Sequence, residues 1–254
     1  MSELAHPSNR ALAGAGAVGA AAALALRSAG VAWPDTATLV ALLVLLPIVS
    51  VLQVGMLRGV EVERMGAYLS SALMLVALGG GTWFVGARSS GSAAVGLTAI
   101  SVSSFALWTA ALVAGGLGVT AAFRLAGARL GLREAPLLRS LLPRTARERV
   151  AFAGLSAAAG FGEELAFRGY VIPVLAGLVG IPLAAAASSV VFGVVHAYQG
   201  PLGMGRTAAL GAWLAWGFLA SGSLWPPMAA HAILDVLLGM ALAERMMVPE
   251  QAQA

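Results

Sequence analysis

The chain has 254 residues, of which 59% are hydrophobic and only 10% are charged, and its mean hydropathy is +0.89. Because a water-soluble domain carries charge on about a quarter of its residues, this composition excludes a soluble globular protein. The absence of cysteine from the sequence excludes disulfides, thiolate metal sites and a cysteine nucleophile.

The basic residues indicate a membrane topology rather than a nucleic-acid surface. The formal net charge is +4, and the fifteen basic residues are all arginine. They lie mainly between apolar segments, where basic residues orient membrane proteins. We therefore predict no nucleic-acid partner. An arginine-only, alanine-rich composition is also typical of a bacterium with a GC-rich genome.

Long segments without any charged residue predict the fold class. Four such segments cover residues 36–57, 65–87, 89–123 and 169–205, and a helical span of a bilayer needs about 20 apolar residues. We predict an all-α, polytopic transmembrane helical bundle of about eight spans. In chain order the predicted spans are 11–32, 37–57, 66–86, 93–123, 150–177, 182–198, 206–221 and 226–243, separated by Pro, Gly, Ser or charged turns.

Two of these spans leave alternatives open. The first is mostly Ala and Gly, and residues 28–32 also have the small side chains of a signal-peptide cleavage site. We favour a retained helix there. The fourth is longer than an upright span requires, so it must tilt or extend beyond the bilayer. Two short segments in its place would invert the topology of everything that follows.

The arginine distribution predicts how the chain is organised. We predict a single integral-membrane domain over residues 1–254, with four N-terminal spans in 1–123, a basic loop at 124–149 and a core at 150–243. The positive-inside rule places the N-terminus and the basic loop in the cytoplasm of a bacterial inner membrane, with Arg27 and Arg88 outside. The basic loop either orients the chain and lies along the headgroups of the lipid bilayer, or docks a partner.

Ionisable side chains within the predicted spans are the unusual feature of the C-terminal part. Each costs about 2.5–3.5 kcal/mol to insert at the bilayer centre, so each needs a partner or a function. They are Glu163, Glu164, Arg168, His196, His231 and Asp235. Any one group alone fits a structural ion pair or an interhelical hydrogen bond. Their concentration in the last 92 residues favours one shared site.

Helical spacing assigns partners to these groups. Glu164 and Arg168 are four residues apart, so they lie on one helix face and can neutralise each other, which leaves Glu163 without that partner. His231 and Asp235 have the same spacing. Phe192 precedes His196 by one turn, and we predict that its ring forms a wall of the substrate-binding site.

These three motifs together resemble a known family. Glu163-Glu164-x-x-x-Arg168, Phe192-x-x-x-His196 and His231-x-x-x-Asp235 are similar to the signature of the CPBP family of CAAX prenyl endopeptidases, bacteriocin-processing enzymes and bacterial intramembrane glutamic proteases, also called the Abi family. The resemblance covers about residues 145–245. It implies a catalytic cavity within the membrane, no cofactor or metal, and a protein or peptide substrate.

The resemblance also implies residue roles. Glu163 would activate water with help from His196, Glu164 and Arg168 would position it, and His231 with Asp235 would line the oxyanion side. The family often has Asn at the position of Asp235. Because an ionised aspartate cannot donate a hydrogen bond, we expect Asp235 to orient His231.

We predict an endopeptidase that cuts near a protein terminus or a membrane junction, with CAAX-like, leader-peptide, bacteriocin or sorting-signal processing as candidate reactions. The residues alone leave three alternatives to this function or mechanism open. Glu163, His196, His231 and Asp235 are also zinc-ligand types, although no HExxH motif is present. The same groups suit a proton- or cation-coupled transporter. A non-catalytic immunity or scaffold protein is the third.

One geometric requirement follows from this topology. His196 falls near one end of its predicted span and His231 near the opposite end of another. In an antiparallel layout with a rise of about 1.5 Å per residue the two rings would lie far apart. Short, tilted or displaced helices must therefore bring them level.

Overall fold

The computed structural model describes residues 9–57, 62–90 and 95–241, and these residues form helices without any strand. The prediction of an all-α polytopic bundle is confirmed. The helices are α1 (Asn9–Ser28), α2 (Trp33–Val40), α3 (Leu46–Met56), α4 (Arg64–Ser90), α5 (Val102–Leu130), α6 (Pro136–Ser140), α7 (Ala146–Glu163), α8 (Ile172–Val179), α9 (Ile181–Val195), α10 (Gly200–Ser221) and α11 (Trp225–Val236).

Two long helices each contain a widened π-helical segment followed by a proline. Residues Ala41–Leu45 join α2 to α3, and Glu164–Val171 join α7 to α8. Pro47 and Pro173 lie in the first turn after these segments. Proline lacks the N–H of a regular helical hydrogen bond and its ring crowds the preceding turn, so the wider turn accommodates it without breaking the helix.

Local sequence signals set the ends of the central helices. Thr145 begins α7 with a capping box, in which its hydroxyl accepts from the Glu148 N–H and the Glu148 carboxylate accepts from the Thr145 N–H. Ser101 caps α5 through the Ser104 N–H. Gly131, with a φ of 65°, ends α5 in the left-handed conformation that suits glycine.

The helices pack in a ring. Following the contacts, α4 packs on α7, α7 on α11, α11 on α5, α5 on α10, α10 on α9 and α9 on α3. α7 is central because glycines let its neighbours approach: a Cβ on Gly162 would lie 2.1 Å from Leu75 O of α4, and one on Gly160 would lie 2.5 Å from Met228 O of α11. Such small-residue contacts are typical of membrane helices.

The number of spans differs from the eight predicted. Five described helices have the length and hydropathy to cross a membrane: Ala11–Ser28, Trp33–Met56, Arg64–Arg88, Val102–Leu130 and Ala146–Val179. The predicted spans 182–198 and 206–221 form one pair bent by 57°, which adds a sixth. The predicted span 226–243 corresponds to α11 and a π-helical turn, Leu237–Ala241; its last two residues lie outside the described residues.

Two further expectations are corrected or resolved by the helix boundaries. The predicted basic loop at 124–149 is shorter, because α5 continues to Leu130 and α7 begins at Ala146, and α6 lies between them. The fourth predicted span, 93–123, is one continuous helix from Val102 rather than two short segments. The start of that predicted span, residues 93 and 94, lies outside the described residues.

Candidate active site

The π-helical segment at the end of α7 carries the first motif. All residues of Glu164–Val171 are buried. Because a π turn disturbs the regular ladder of backbone hydrogen bonds, carbonyls in it need other donors. Ser188 of α9 supplies one, since its hydroxyl donates to Phe167 O at 2.7 Å. The segment is thereby fixed against α9, where Phe192 and His196 follow.

Glu164 and Arg168 form the predicted ion pair. Arg168 Nη1 donates to Glu164 Oε1 at 2.9 Å, and both side chains are 0% exposed. The guanidinium carbon also lies 4.2 Å from the centre of the Phe192 ring, a cation–π contact. Gly211 of α10 makes room for the guanidinium, because a Cβ there would lie 3.1 Å from Arg168 Nη2.

His231 forms its hydrogen bond with Glu164, and not with Asp235 of its own helix as the spacing predicts. Its Nδ1 lies 2.8 Å from Glu164 Oε1. Asp235 Oδ2, the expected orienting partner, is 3.7 Å from His231 Nε2, which is beyond hydrogen-bond distance. Glu164 therefore holds the imidazole of α11 and the guanidinium of its own helix with the same oxygen. Spacing within one helix carries no signal for such a contact.

Glu163 projects towards the other side of His231. Its Oε2 lies 3.6 Å from His231 Nε2, and its side chain is 14% exposed. That oxygen has no hydrogen-bond partner among the described residues. His231 Nε2 consequently faces two carboxylates, Glu163 and Asp235, while its Nδ1 is fixed by a third. Glu163 is the one of the two adjacent glutamates that lacks an arginine contact, as the helical spacing predicts.

His196 closes α9 in a defined ring orientation. Its Nδ1 lies 2.7 Å from Phe192 O. A carbonyl oxygen can only accept, so Nδ1 carries the proton of this hydrogen bond. In the neutral imidazole the second nitrogen, Nε2, is then an acceptor. His196 thus has the tautomer that a base or a water-positioning group requires.

A row of rings links the two histidines. The ring centres of Phe192 and His196 are 4.8 Å apart, and those of Phe192 and His231 are 5.9 Å apart. α9 has only 15 residues and bends sharply into α10. His196 therefore does not reach the far surface of the bundle, and the requirement that the two histidines lie level is met.

The site lies on the wall of one large cavity, of about 860 Å³. Glu163, Phe192, His196, His231 and Asp235 line it together. Glu164 and Arg168 lie behind this wall. Most of the opposite wall is apolar and comes from α3 and α4, with residues such as Leu46, Val49, Met74 and Leu78. A cavity of this size and apolar character can hold a segment of peptide or another apolar chain.

A comparison with known protein families shows which family the C-terminal part of the chain resembles. Residues 145–237 match the sequence model of the family described as Rce1-like, type II CAAX prenyl endopeptidase. The match covers 93 of the 254 residues and supports assignment of this region to a CAAX protease family. The chain matches no curated protein and no solved structure in the same comparisons.

Similarity to the Rce1-like family indicates a protease, and a protease acts on a protein or peptide substrate. The resemblance predicted from the three motifs is therefore confirmed. All seven residues predicted for the site lie within the Rce1-like region. The cavity walls from α3 and α4 lie outside it.

A polar cluster at the end of the cavity near α6 is not among the residues predicted from the sequence. Arg206 pairs with Glu134 and donates from Nη2 to Gln199 Oε1 at 3.0 Å. Thr207 donates to the same oxygen at 3.1 Å, and Gln199 Nε2 donates to Tyr198 Oη at 3.3 Å. As one of the arginines between the predicted spans, Arg206 counts in the positive-inside rule only as an orienting charge. Its position six residues after the start of α10, within a helix and not in a loop, is the sequence signal for this cluster.

The donor geometry also bears on the zinc hypothesis. The carboxylates surround His231 rather than a common point that all four predicted ligands share. Across the described ranges, no group of three or more His, Asp or Glu side chains has the arrangement of a metal-ligand set.

Proposed function

We propose that the chain is an intramembrane endopeptidase in which Glu163 activates a water molecule for hydrolysis of a peptide bond. The observation that carries this proposal is the position of Glu163: a carboxylate without an arginine contact, on the wall of an apolar cavity, 3.6 Å from an imidazole. Peptide hydrolysis needs a general base, stabilisation of the oxyanion and a proton for the leaving amine.

The reaction follows from these groups. Glu163 takes a proton from water while the water oxygen attacks the scissile carbonyl carbon, and His196 Nε2 accepts the second water hydrogen and so orients the attack. The carbonyl oxygen becomes an oxyanion beside His231. Glu163 then gives its proton to the leaving nitrogen, the C–N bond breaks, and a carboxylic acid, which ionises in water, and an amine are released.

Glu164 and Arg168 act as positioning residues in this scheme. The buried ion pair fixes Glu164 Oε1, and that oxygen in turn fixes His231 Nδ1. The imidazole is thereby held with its Nε2 towards the cavity and Glu163. Asp235 is the second carboxylate at Nε2. Its side chain is 39% exposed, more than those of Glu163, Glu164 and His231.

The substrate class and membrane orientation belong to the same proposal. We propose a bacterial inner-membrane protein with its N-terminus and the basic connection between α5 and α7 in the cytoplasm. The substrate is a protein or peptide cut near a terminus or a membrane junction. The apolar α3 and α4 walls suit a lipidated or membrane-embedded segment. CAAX-like, leader, bacteriocin and sorting-signal substrates all fit that description.

The test compares wild type, Glu163→Gln and His196→Ala, each purified in detergent. Cleavage is followed on fluorescence-quenched peptides with a prenylated CAAX end or a leader sequence, and new protein termini are mapped in native membranes. We expect Glu163→Gln to lower kcat by at least about 10²-fold, as loss of a general base does. Undiminished cleavage by both variants, or stoichiometric zinc in the active protein, would contradict the mechanism.

If the protein is a transporter, the same variants should give a different result. Purified protein in liposomes would show a pH-dependent ion flux that Glu163→Gln abolishes, without any change in protein termini. That pair of outcomes would replace the protease proposal.

A further inference from the structure

The three tyrosines of the chain differ in how their hydroxyl protons are used. Tyr68 donates to Leu141 O at 2.5 Å, and Tyr170 donates to Asp35 Oδ1 at 2.7 Å. Tyr198 only accepts, from Gln199 Nε2 at 3.3 Å. Its own hydroxyl proton has no acceptor among the described residues, although the residue lines the cavity of the candidate site.

The neighbouring hydrogen bonds determine that Gln199 is the donor and Tyr198 the acceptor in their hydrogen bond. Arg206 and Thr207 both donate to Gln199 Oε1, so the amide oxygen of Gln199 must face them. The amide nitrogen of Gln199 then faces Tyr198 and can only donate. The hydroxyl oxygen of Tyr198 is therefore an acceptor in this chain. Its O–H remains available as a donor to a group in the cavity.

The ring of Tyr198 places that donor beside the proposed chemistry. Its centre lies 5.8 Å from the centre of the His196 ring. Tyr198, His196, Phe192 and His231 thus form one continuous row of rings along the cavity wall. A peptide that lies along this wall beside Glu163 and His196 therefore also lies beside Tyr198.

The candidate site itself is short of donors. Both nitrogens of His231 face carboxylates, Glu164 at Nδ1 and Glu163 with Asp235 at Nε2. Nδ1 of His196 is used by Phe192 O. An oxyanion needs donors aimed at it, and carboxylates near it are unfavourable. A neutral hydroxyl on the same wall meets this need.

We infer that Tyr198 donates a hydrogen bond from its hydroxyl to the substrate carbonyl oxygen as that oxygen becomes an oxyanion. The inference rests on the proposed endopeptidase function. No proton is transferred in this step: the O–H shortens its contact to the oxyanion and releases it when the C–N bond breaks. Gln199 is a positioning residue, because it keeps the hydroxyl oxygen occupied as an acceptor.

The experiment measures kcat and KM of Tyr198→Phe and Gln199→Glu on the peptide that wild type cleaves. Tyr198→Phe keeps the ring contact with His196 and removes only the hydroxyl, so we expect kcat to fall about 100-fold with KM unchanged. Gln199→Glu offers an oxygen where the amide nitrogen was, so the Tyr198 proton turns away from the cavity. We expect a similar loss of kcat, and no further loss in the double variant.

Tyr170→Phe is the matched control, because it removes a buried tyrosine hydroxyl that lies away from the cavity. We expect it to lower the thermal midpoint without lowering kcat. A kcat for Tyr198→Phe within twofold of wild type, with Glu163→Gln inactive, would overturn the Tyr198 inference while leaving the proposed function intact. A change in KM alone would also overturn it, since that pattern reports ground-state binding. Normal cleavage by Glu163→Gln would instead reject the proposed glutamate mechanism.

Discussion

Glu164 Oε1 joins His231 Nδ1 at 2.8 Å across the contact between α7 and α11. The two residues are 67 positions apart in the chain. The same oxygen accepts from Arg168, so one buried carboxylate holds a guanidinium and an imidazole together. Ionisable groups in a bilayer interior need such mutual contacts. Among the described residues, Glu164 Oε2 and Arg168 Nε and Nη2 nevertheless have no hydrogen-bond partner.

Removing this carboxylate should affect both folding and activity. Glu164→Gln leaves the fully buried Arg168 without a counter-ion, which costs about 3–5 kcal/mol. We expect a large fall in the thermal unfolding midpoint in detergent micelles. Cleavage of the quenched peptide should fall with it, because His231 loses its fixed orientation.

A double variant separates the two effects. Glu164→Leu with Arg168→Met replaces the ion pair by apolar side chains, an exchange that is often neutral for stability. We expect the midpoint to recover while kcat stays low. Recovery of both quantities would show that Glu164 serves folding alone.

The contact of α7 with α4 should be sensitive to a single methyl group. A Cβ at Gly162 would lie 2.1 Å from Leu75 O, so Gly162→Ala must push the two backbones apart. We expect a loss of about 1–3 kcal/mol and a lower kcat, because Glu163 moves with the backbone. Thermal unfolding and peptide cleavage measure the two effects.

Gly154→Ala on the same helix is the control. A Cβ there meets nothing within 4 Å. Replacing an exposed helical glycine by alanine should raise stability by up to about 1 kcal/mol. Equal destabilisation by Gly162→Ala and Gly154→Ala would mean that the close contact of α7 with α4 does not depend on Gly162.

The π-helical segment of the site should depend on one hydroxyl of α9. Ser188→Ala removes the donor to Phe167 O and leaves a buried carbonyl unsatisfied, at a cost of about 1–3 kcal/mol. Ser189→Ala, one position later, removes a hydroxyl that bonds only to Ala185 O of its own helix. We expect Ser189→Ala to be near neutral in the same unfolding assay. A larger loss of stability for Ser189→Ala than for Ser188→Ala would contradict this role of Ser188.

Asp235 gives a prediction about charge at the site. Asp235→Asn keeps the shape of the side chain and supplies an N–H donor near His231 Nε2. Because the carboxylate is already beyond hydrogen-bond distance, we expect kcat to stay within about tenfold of wild type. The same peptide assay measures this. A loss as large as that of Glu163→Gln would assign Asp235 a direct part in the reaction.

Much of the fold could be predicted from hydropathy, because each long apolar segment became a helix in the described chain. The pairing of Glu164 with Arg168 was also predictable, since i and i+4 lie on one face of a helix. The contact of His231 with Glu164 was not, because it depends on how α11 packs against α7. Glycines at 160 and 162 permit that packing, but a glycine does not reveal which helix approaches it.

The number of long apolar helices differs from the eight predicted spans for a related reason. Hydropathy separates 182–198 from 206–221 at Gly200-Pro201 but does not report the angle between them. The structure places a 57° bend at His196, between Ile181–Val195 and Ala197–Ser221, and Gly200 follows it with a φ of 80°. The polar cluster of Glu134, Arg206 and Gln199 escaped prediction because charged residues at helix ends are normally solvated. Only the folded chain shows that they line the cavity.

The two sides of the cavity come from different parts of the polypeptide. The acids and imidazoles lie within residues 145–237, whereas Leu46, Val49, Met74 and Leu78 come from the preceding helices. Mutations on α3 and α4 can therefore reshape the fit to a bound chain without disturbing the ionisable groups. Substitutions in this wall alone can therefore change which substrate such a protein binds. An engineered exchange of residues 33–56 would change the same wall.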